Sequence, residues 1–465
     1  MKPIFKLFLY FLIFVFALFI LGVTIKKFAP ESIKSKFRET VLLIRMLKLK
    51  NKQYETKISE LKTSVDELQV KVKYLLDGQL ISSNVKNIKS KSNIYNIRTF
   101  QLPLLSRNQW MKPVAYLEQS KNAIIIGSGH GEFFLLDKKY IESEHLHLIK
   151  IKTNINDLIK NKNFYLNGPI SIRDLLVVDN KIFFSFVKEH SKGCFNTSIM
   201  ISELNLNYLN FSEFFSYKDC MSKKKVQKYP GKLLQLAHSG GRMVAFKNNK
   251  ILLTIGDYGA RPSAQDKNLL FGKIISIDLK TKKHELIAMG SRNAQGLYYD
   301  IDRDIIIHTE HGPAGGDEIN INFSPDNKNV KNFGWPISSY GERGYGEFSK
   351  DVPLHKSHKD YGFVEPIKVY SPSIAISEIT KIPKIFNENF TNNFFISTLG
   401  WEGQLANGQQ SIHHLRFNEN FDQIIFEDVI PIDERIRDLI YIKEMNLVLL
   451  VLETIPAIGI LRLTN

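Results

Sequence analysis

The sequence predicts an all-β fold, a six-bladed β-propeller, standing behind an N-terminal transmembrane helix and a helical coiled-coil stalk. Three observations predict it. From residue 96 onward one theme recurs six times: a polar turn, an apolar strand, a short turn of Asn, Asp, Lys or Gly, and a second apolar strand. Long helical patterns are scarce between these units. Ahead of them lie an uncharged apolar run and then a heptad seam. The resulting division is 1–27 anchor, 28–78 stalk, 79–95 linker and 96–465 propeller.

The anchor is Leu7 to Ile25, LFLYFLIFVFALFILGVTI, an unbroken run without charge preceded by Lys2 and Lys6. It is long enough to cross a hydrocarbon core as a helix and longer than the apolar centre of a cleaved signal peptide. No small-x-small cleavage site follows, so the reading is an uncleaved signal anchor. Lys26, Lys27, Lys34, Lys36 and Arg38 come next, and the positive-inside rule taken alone would hold the remainder in the cytoplasm. From Glu31 to Asp77 no proline interrupts a helix, and Ile58, Leu61, Val65, Leu68, Val72 and Leu75 repeat at alternating spacings of three and four. That is the a/d seam of a coiled coil, through which chains would self-associate. A single amphipathic helix lying on the membrane or the propeller is the alternative. Residues 79–95, rich in Ser, Asn and Lys, read as the linker.

Composition bounds the partners. The formal net charge of +16 points first to nucleic acid or an anionic membrane. More than half of the excess lies in the first 95 residues, beside the apolar run, and no arginine-rich reading element follows. This distribution excludes nucleic acid and fits a basic juxtamembrane stalk. The two cysteines, Cys194 and Cys220, cannot build a metal site alone. They form one disulfide in an exported protein, or stay as two separate buried thiols.

The six units begin at Pro113, Ser171, Gly241, Ala294, Ser373 and Arg435. IRDL occurs at Ile172 and again at Ile436, a trace of internal duplication. In a propeller the turn before each innermost strand faces the central channel, so polar residues placed there converge. Between His238 and Pro336 those turns carry HSGGR, TIGDYG, SRNAQG, HGPAGGDE and NFGWP. In order and chemistry these motifs resemble the soluble glucose/sorbosone dehydrogenases that use pyrroloquinoline quinone (PQQ), enzymes built on a six-bladed propeller. The resemblance covers residues 96–465 and is densest in this stretch.

The resemblance implies roles for particular residues. His238 matches the general base that takes the proton from a sugar's anomeric hydroxyl, a task suited to imidazole near neutral pH. Asp257 would hold its tautomer. Arg292 and Asn293 match a pair that reaches the quinone and the substrate; Arg435 and Arg437, two apart and so on one face of an extended segment, match a second arginine pair. Guanidinium groups suit a cofactor with three carboxylates. His311-Gly312-Pro313 matches a turn beside the quinone whose Gly312 and Pro313 carbonyls ligate Ca²⁺, and Glu318 matches a ligand of a second, structural Ca²⁺. Each has a plainer reading: His238 as a loop cap, the arginines paired to a carboxylate such as Asp438, Asp317 and Glu318 as turn carboxylates. The chain also departs from the family pattern. Phe333 stands where the family has tyrosine, Gly400 where it has lysine or arginine, and Ser371 where an aromatic packs near the quinone. Arg173 sits at the turn where the family places a glutamine.

The functional expectation is a membrane-anchored, exported quinoprotein that oxidises the C1 hydroxyl of an aldose to a lactone and passes electrons to an acceptor the sequence does not name. An extracytoplasmic propeller follows from the family's cofactor, against the charge bias around the anchor. The alternative is a non-catalytic propeller displayed on its stalk to bind a glycan or a protein. A calcium-dependent propeller lactonase ranks last, because it would want axial carboxylates where this chain offers arginines.

Overall fold

The computed structural model describes residues 79–102, 114–160, 172–228, 233–341, 353–383, 391–400 and 408–464, apart from 81, 83, 84 and 314, together with part of a helix between residues 35 and 65. The chain divides into two compact units, Met1–Gln69 and Val70–Asn465. In the first, Ile58, Leu61 and Val65 of the expected seam are exposed. Leu68, Val72 and Leu75, and the apolar run 7–25, lie outside the described residues. Among the described residues no helix is long and apolar enough to cross a membrane.

The second unit is all β, with six antiparallel-cored sheets of four to six strands. Their innermost strands are Ala115–Gln119, Ile172–Val178, Gly240–Phe246, Ala294–Asp300, Ile376–Ile382 and Ile436–Ile442. Each touches the next in that order, and the last touches the first, so the ring closes. The six sequence units are the two inner strands of the six blades, numbered here from Ala115–Gln119. Tight turns set their pairing. Asp179-Asn180 and Asn248-Asn249 all have positive φ, 47° and 60° in the first pair and 58° and 57° in the second. Consecutive left-handed residues make the turn whose twist suits a two-residue hairpin, and Asn and Asp tolerate that conformation best.

Burial follows the same division. Six apolar clusters each fill one interface between neighbouring blades, as expected when sheets pack face to face around a ring. The last blade is completed by the start of the domain: Ile94–Gln101 pairs with Ala457–Thr464 along its whole length, and Lys86–Lys89 adds an outer strand. Much of the segment expected as a linker, 79–95, is therefore strand. Its polar composition reflects an edge position, where one face of the strand is wet and the outer side has no further strand to match. The alternative left open for the cysteines is settled: Cys194 and Cys220 form a disulfide.

Candidate active site

Five inner strands carry a β-bulge near their first residues, between Ile172 and Asp174, Gly240 and Met243, Ala294 and Gly296, Ile376 and Ile379, and Ile436 and Asp438. A bulge leaves a residue unpaired and turns its side chain out of the regular alternation. Arg173, Gln295 and Arg437 occupy these positions, and all three meet at one atom. Gln295 Oε1 accepts from Arg173 (3.3 Å) and from Arg437 (3.2 Å), while Gln295 Nε2 donates to Asn293 Oδ1 (3.0 Å). Asn293 Oδ1 also takes the Gly240 N–H at 3.2 Å. Asn293 thus binds the protein's own loops and fixes the turn that holds its neighbours.

His238 and Asp257 are joined through the backbone as well as by side chains. Tyr258 N–H donates to the His238 carbonyl at 3.0 Å, and Gly256 passes so close that a Cβ there would lie 2.1 Å from the same oxygen. Only glycine allows that approach. His238 Nδ1 lies 3.4 Å from Asp257 Oδ1, within ion-pair reach and just beyond a well-made hydrogen bond. Asp257 Oδ1 accepts the Gly259 N–H at 2.8 Å and Oδ2 the Trp335 indole N–H at 2.9 Å. Burial pushes the Asp257 carboxyl up, but His238, Arg292 and the Gly259 N–H outweigh it and hold it below its ordinary value. On the other side of the imidazole, Arg292 lies 3.3 Å from Nε2 and donates to the His311 carbonyl at 3.0 Å. Burial and Arg292 lower the proton affinity of His238, against the opposing pull of Asp257. The ring is therefore neutral near pH 7, with Nε2 accepting and Nδ1–H turned to Asp257.

His311 donates to the Ile376 carbonyl at 2.6 Å, and burial drives its pKa down to about 3. The following turn is shaped by Asp317, whose Oδ1 accepts the Gly312 N–H and whose Oδ2 accepts the N–H groups of Ile374 and Ala375. Among the described residues no hydrogen bond reaches the Gly312 or Pro313 carbonyl oxygens. Two open carbonyls on a braced turn fit the Ca²⁺ expected there. Glu318, expected as a ligand of a second ion, is held by two side chains and keeps lone pairs open, next to Glu310 Oε2 and Asn320 Oδ1, which accept no hydrogen bond among the described residues. Glu318 Oε1 pairs with His358 Nε2 at 3.2 Å and its Oε2 accepts from Asn320 at 3.3 Å. His358 comes from the segment between Ile337 and Pro366, whose pairing no periodicity could foretell.

Arg435 and Arg437 share one carboxylate, but it is Glu453 and not Asp438. Arg435 also donates to the carbonyls of Leu399 and Gly400, so Gly400 contributes its backbone where a basic side chain was expected. Asp438 serves the axis instead: Arg242 NH1 reaches Asp174 (3.1 Å), Glu378 (2.7 Å) and Asp438 (2.8 Å), from three blades. Arg173 is buried with its bonds to the Gly240 carbonyl and Gln295 and no carboxylate among the described residues. Gln295 and the Glu453 carboxylate thus link Arg173, Arg437 and Arg435 at the first end of the inner strands, while Arg292 lies beside the His238–Asp257 pair. This surplus of fixed guanidinium charge fits a polyanionic planar cofactor. Sequence reasoning missed Trp335, Gln295, Glu453 and Arg242. Trp335 lay in a noticed motif, but nothing in the sequence pointed to its partner.

Known proteins share both sequence and fold with this chain. The family described as Glucose / Sorbosone dehydrogenase matches residues 177–454, more than half of the chain. The chain belongs to the glucose/sorbosone dehydrogenase family. An uncharacterized protein of Synechocystis is 32% identical over 229 residues, 43% of this chain and 50% of that protein. An aldose sugar dehydrogenase of Escherichia coli is 30% identical over 153 residues, 30% of this chain and 39% of the relative. The chain spans half or less of these curated relatives' length. Among solved structures, the PQQ-bound form of an aldose sugar dehydrogenase from Streptomyces coelicolor superposes with a TM-score of 0.52 at 14% identity, covering 82% of this chain and 98% of that one. At that identity the likeness shows the shared propeller fold.

Proposed function

We propose that this glucose/sorbosone dehydrogenase family member oxidises the C1 hydroxyl of an aldose to a lactone, with PQQ as the acceptor and Ca²⁺ at the Gly312-Pro313 turn. The observation that carries the reading is the chain of Arg173, Arg437 and Arg435 joined by Gln295 and Glu453, together with Arg292 beside a histidine kept neutral. His238 Nε2 would take the hydroxyl proton. Asp257 would then stabilise the imidazolium, since it already faces Nδ1. Arg292 is placed to steady negative charge developing beside the base. Arg435, Arg437 and Arg173 would hold cofactor carboxylates, and the Gly312 and Pro313 carbonyls the ion. When bound, the quinone supplies the two-electron acceptor and the ion polarises its reacting carbonyl. The electron acceptor beyond it is an unidentified partner. The Cys194–Cys220 disulfide favours an oxidising, extracytoplasmic compartment, and supports the reading of residues 7–25 as an anchor with the propeller exported.

A second reading is a display propeller that binds a glycan or protein without catalysis. Its support is that Arg435 is spent on the carbonyls of Leu399 and Gly400 and on Glu453. The deciding experiment adds PQQ and Ca²⁺ to the purified full-length protein and follows quinone absorbance during addition of a panel of aldoses. Tight binding and reduction by a sugar are expected, with His238→Ala keeping the quinone but slowing reduction by about 10²–10⁴-fold. No quinone binding, with or without calcium, would leave the display reading.

A further inference from the structure

The Asp257 carboxylate has two oxygens and three N–H neighbours, and one of those neighbours comes from a remote segment. Trp335 Nε1 donates to Oδ2 at 2.9 Å, across 78 positions of sequence. Gly259 N–H donates to Oδ1 at 2.8 Å, and His238 Nδ1 lies 3.4 Å from the same oxygen. An indole N–H can only donate, as can a backbone amide. Each oxygen therefore accepts from a group that cannot accept in return, which favours the ionised carboxyl. The carboxyl is kept ionised and its plane is set by two fixed donors.

Trp335 is itself held firmly. Its backbone N–H donates to the Gly290 carbonyl at 2.9 Å, its own carbonyl accepts from Gln265 Nε2 at 2.6 Å, and its ring packs with Ala264 and Leu354. Gly334 brings it in with φ at 88°, in a place where a Cβ would lie 2.2 Å from Ser338 Oγ. The ring also lies under two guanidinium groups, Arg292 at 5.6 Å and Arg261 at 6.0 Å.

We infer that Trp335 is the positioning residue that aims the Asp257 carboxylate at His238. The inference rests on the proposed role of His238 as base. The charged and titratable groups that face His238 are Asp257, Arg292, Arg261 and His311. Only Asp257 favours its protonated form. Without the indole N–H, Asp257 Oδ2 is buried with no partner, and the easiest relief is a turn towards Arg261 or Arg292. Either turn withdraws the carboxylate from Nδ1 and weakens the support of the imidazolium.

Two replacements test this: Trp335→Phe, and the benzothiophene analogue of tryptophan at 335, which keeps the bicyclic shape and lacks the N–H. The first readout needs neither cofactor nor sugar. In full-length protein with ¹³C-labelled histidine, the His238 ring is titrated by NMR, assigned with His238→Gln and referenced to Asp257→Asn. The pKa of His238 should fall in both replacements towards its value in Asp257→Asn. The second readout is kcat against KM in the reconstituted protein, with kcat about 10- to 100-fold lower and KM within about threefold. If both replacements leave the His238 titration at the wild-type value, Trp335 is packing alone and the inference is overturned. Should Trp335→Phe fail to fold, the benzothiophene protein decides. Should the wild type oxidise no aldose, the proposed function fails while the titration still judges Trp335.

Discussion

Glu453 shows how much one side chain carries that no motif announced. It is buried, it pairs with both Arg435 and Arg437, and those two cations hold its carboxyl below the usual range against the upward push of burial. Breaking a buried pair from one side leaves the other charge without compensation, which costs about 3–5 kcal/mol. Glu453→Gln strands two guanidinium groups at once, although each retains some exposure. Its stability in urea should fall by about 3 kcal/mol, and PQQ should restore more of its melting temperature than it adds to the wild type. Equal gains in both proteins would mean that the arginines do not meet the cofactor. The arginines themselves were legible because they lie in the turns that open inner strands. Glu453 was not, because it lies after an unbroken apolar strand, Leu447–Leu452, and its partners are chosen only when the blade folds. The same holds for Trp335, which was visible as part of NFGWP but without its acceptor.

At the scale of the strand, the bulge is the device that converts an ordinary hairpin into part of a site. Alternation along Ile172–Val178 and Ile436–Ile442 was readable, and so was the repeat of IRDL. The repeat has a double purpose: its arginines, Arg173 and Arg437, are bulged towards Gln295, and its aspartates, Asp174 and Asp438, turn inward to Arg242. A strict period of two would send neighbouring residues to opposite faces of the sheet, and the extra residue changes this locally. Bulges leave no composition signal of their own, so their outcome was not legible. The second blade has a separate brace. Cys220 precedes the short strand Met221–Ser222, which pairs with the first residues of Cys194–Glu203, and the disulfide ties the same two segments across 26 positions. Closing a loop of that length contributes about 3 kcal/mol. The double variant Cys194→Ser, Cys220→Ser should lose that amount in chemical denaturation while PQQ affinity stays unchanged, since no cysteine touches the site.

At the scale of the whole molecule, two closures matter: the ring and the axis. The ring closes because Ile94–Gln101 crosses to the last blade, so the first and last parts of the propeller are one sheet. The axis closes because Arg242 gathers Asp174, Glu378 and Asp438, with Glu118 close to them on the first blade. Burial raises Asp174, Glu378 and Glu118, and Glu118 is pushed up to about 8. A carboxyl whose folded pKa exceeds its unfolded one binds its proton more tightly when folded. Its stabilising contribution is complete below about pH 4, the unfolded range, and is lost as pH rises through the folded value. The contribution of these carboxyls to the melting temperature should therefore decline between about pH 4 and pH 8, while that of the buried neutral histidines His238, His311 and His414 grows over the same range. Glu118→Gln, which imitates the protonated side chain, should flatten that decline and exceed the wild type above pH 8. A difference in melting temperature between Glu118→Gln and the wild type that does not grow with pH would mean that Arg242 already compensates Glu118.

The blades, their order and their turns could be read from the sequence because each rests on local chemistry: apolar alternation, Asn and Asp in left-handed turns, glycine where backbones touch. The gathering of His238, Asp257, Arg292 and the arginines of the last blade could be anticipated because every inner strand opens at the same end of a propeller. The partners of those groups were decided only in three dimensions. Glu453 beneath two arginines, Trp335 on Asp257, His358 on Glu318 and Arg242 among three carboxylates are contacts between segments far apart in sequence. The physical reason is that a buried charge or donor must find compensation wherever the fold brings it, and no local pattern records which distant residue that will be.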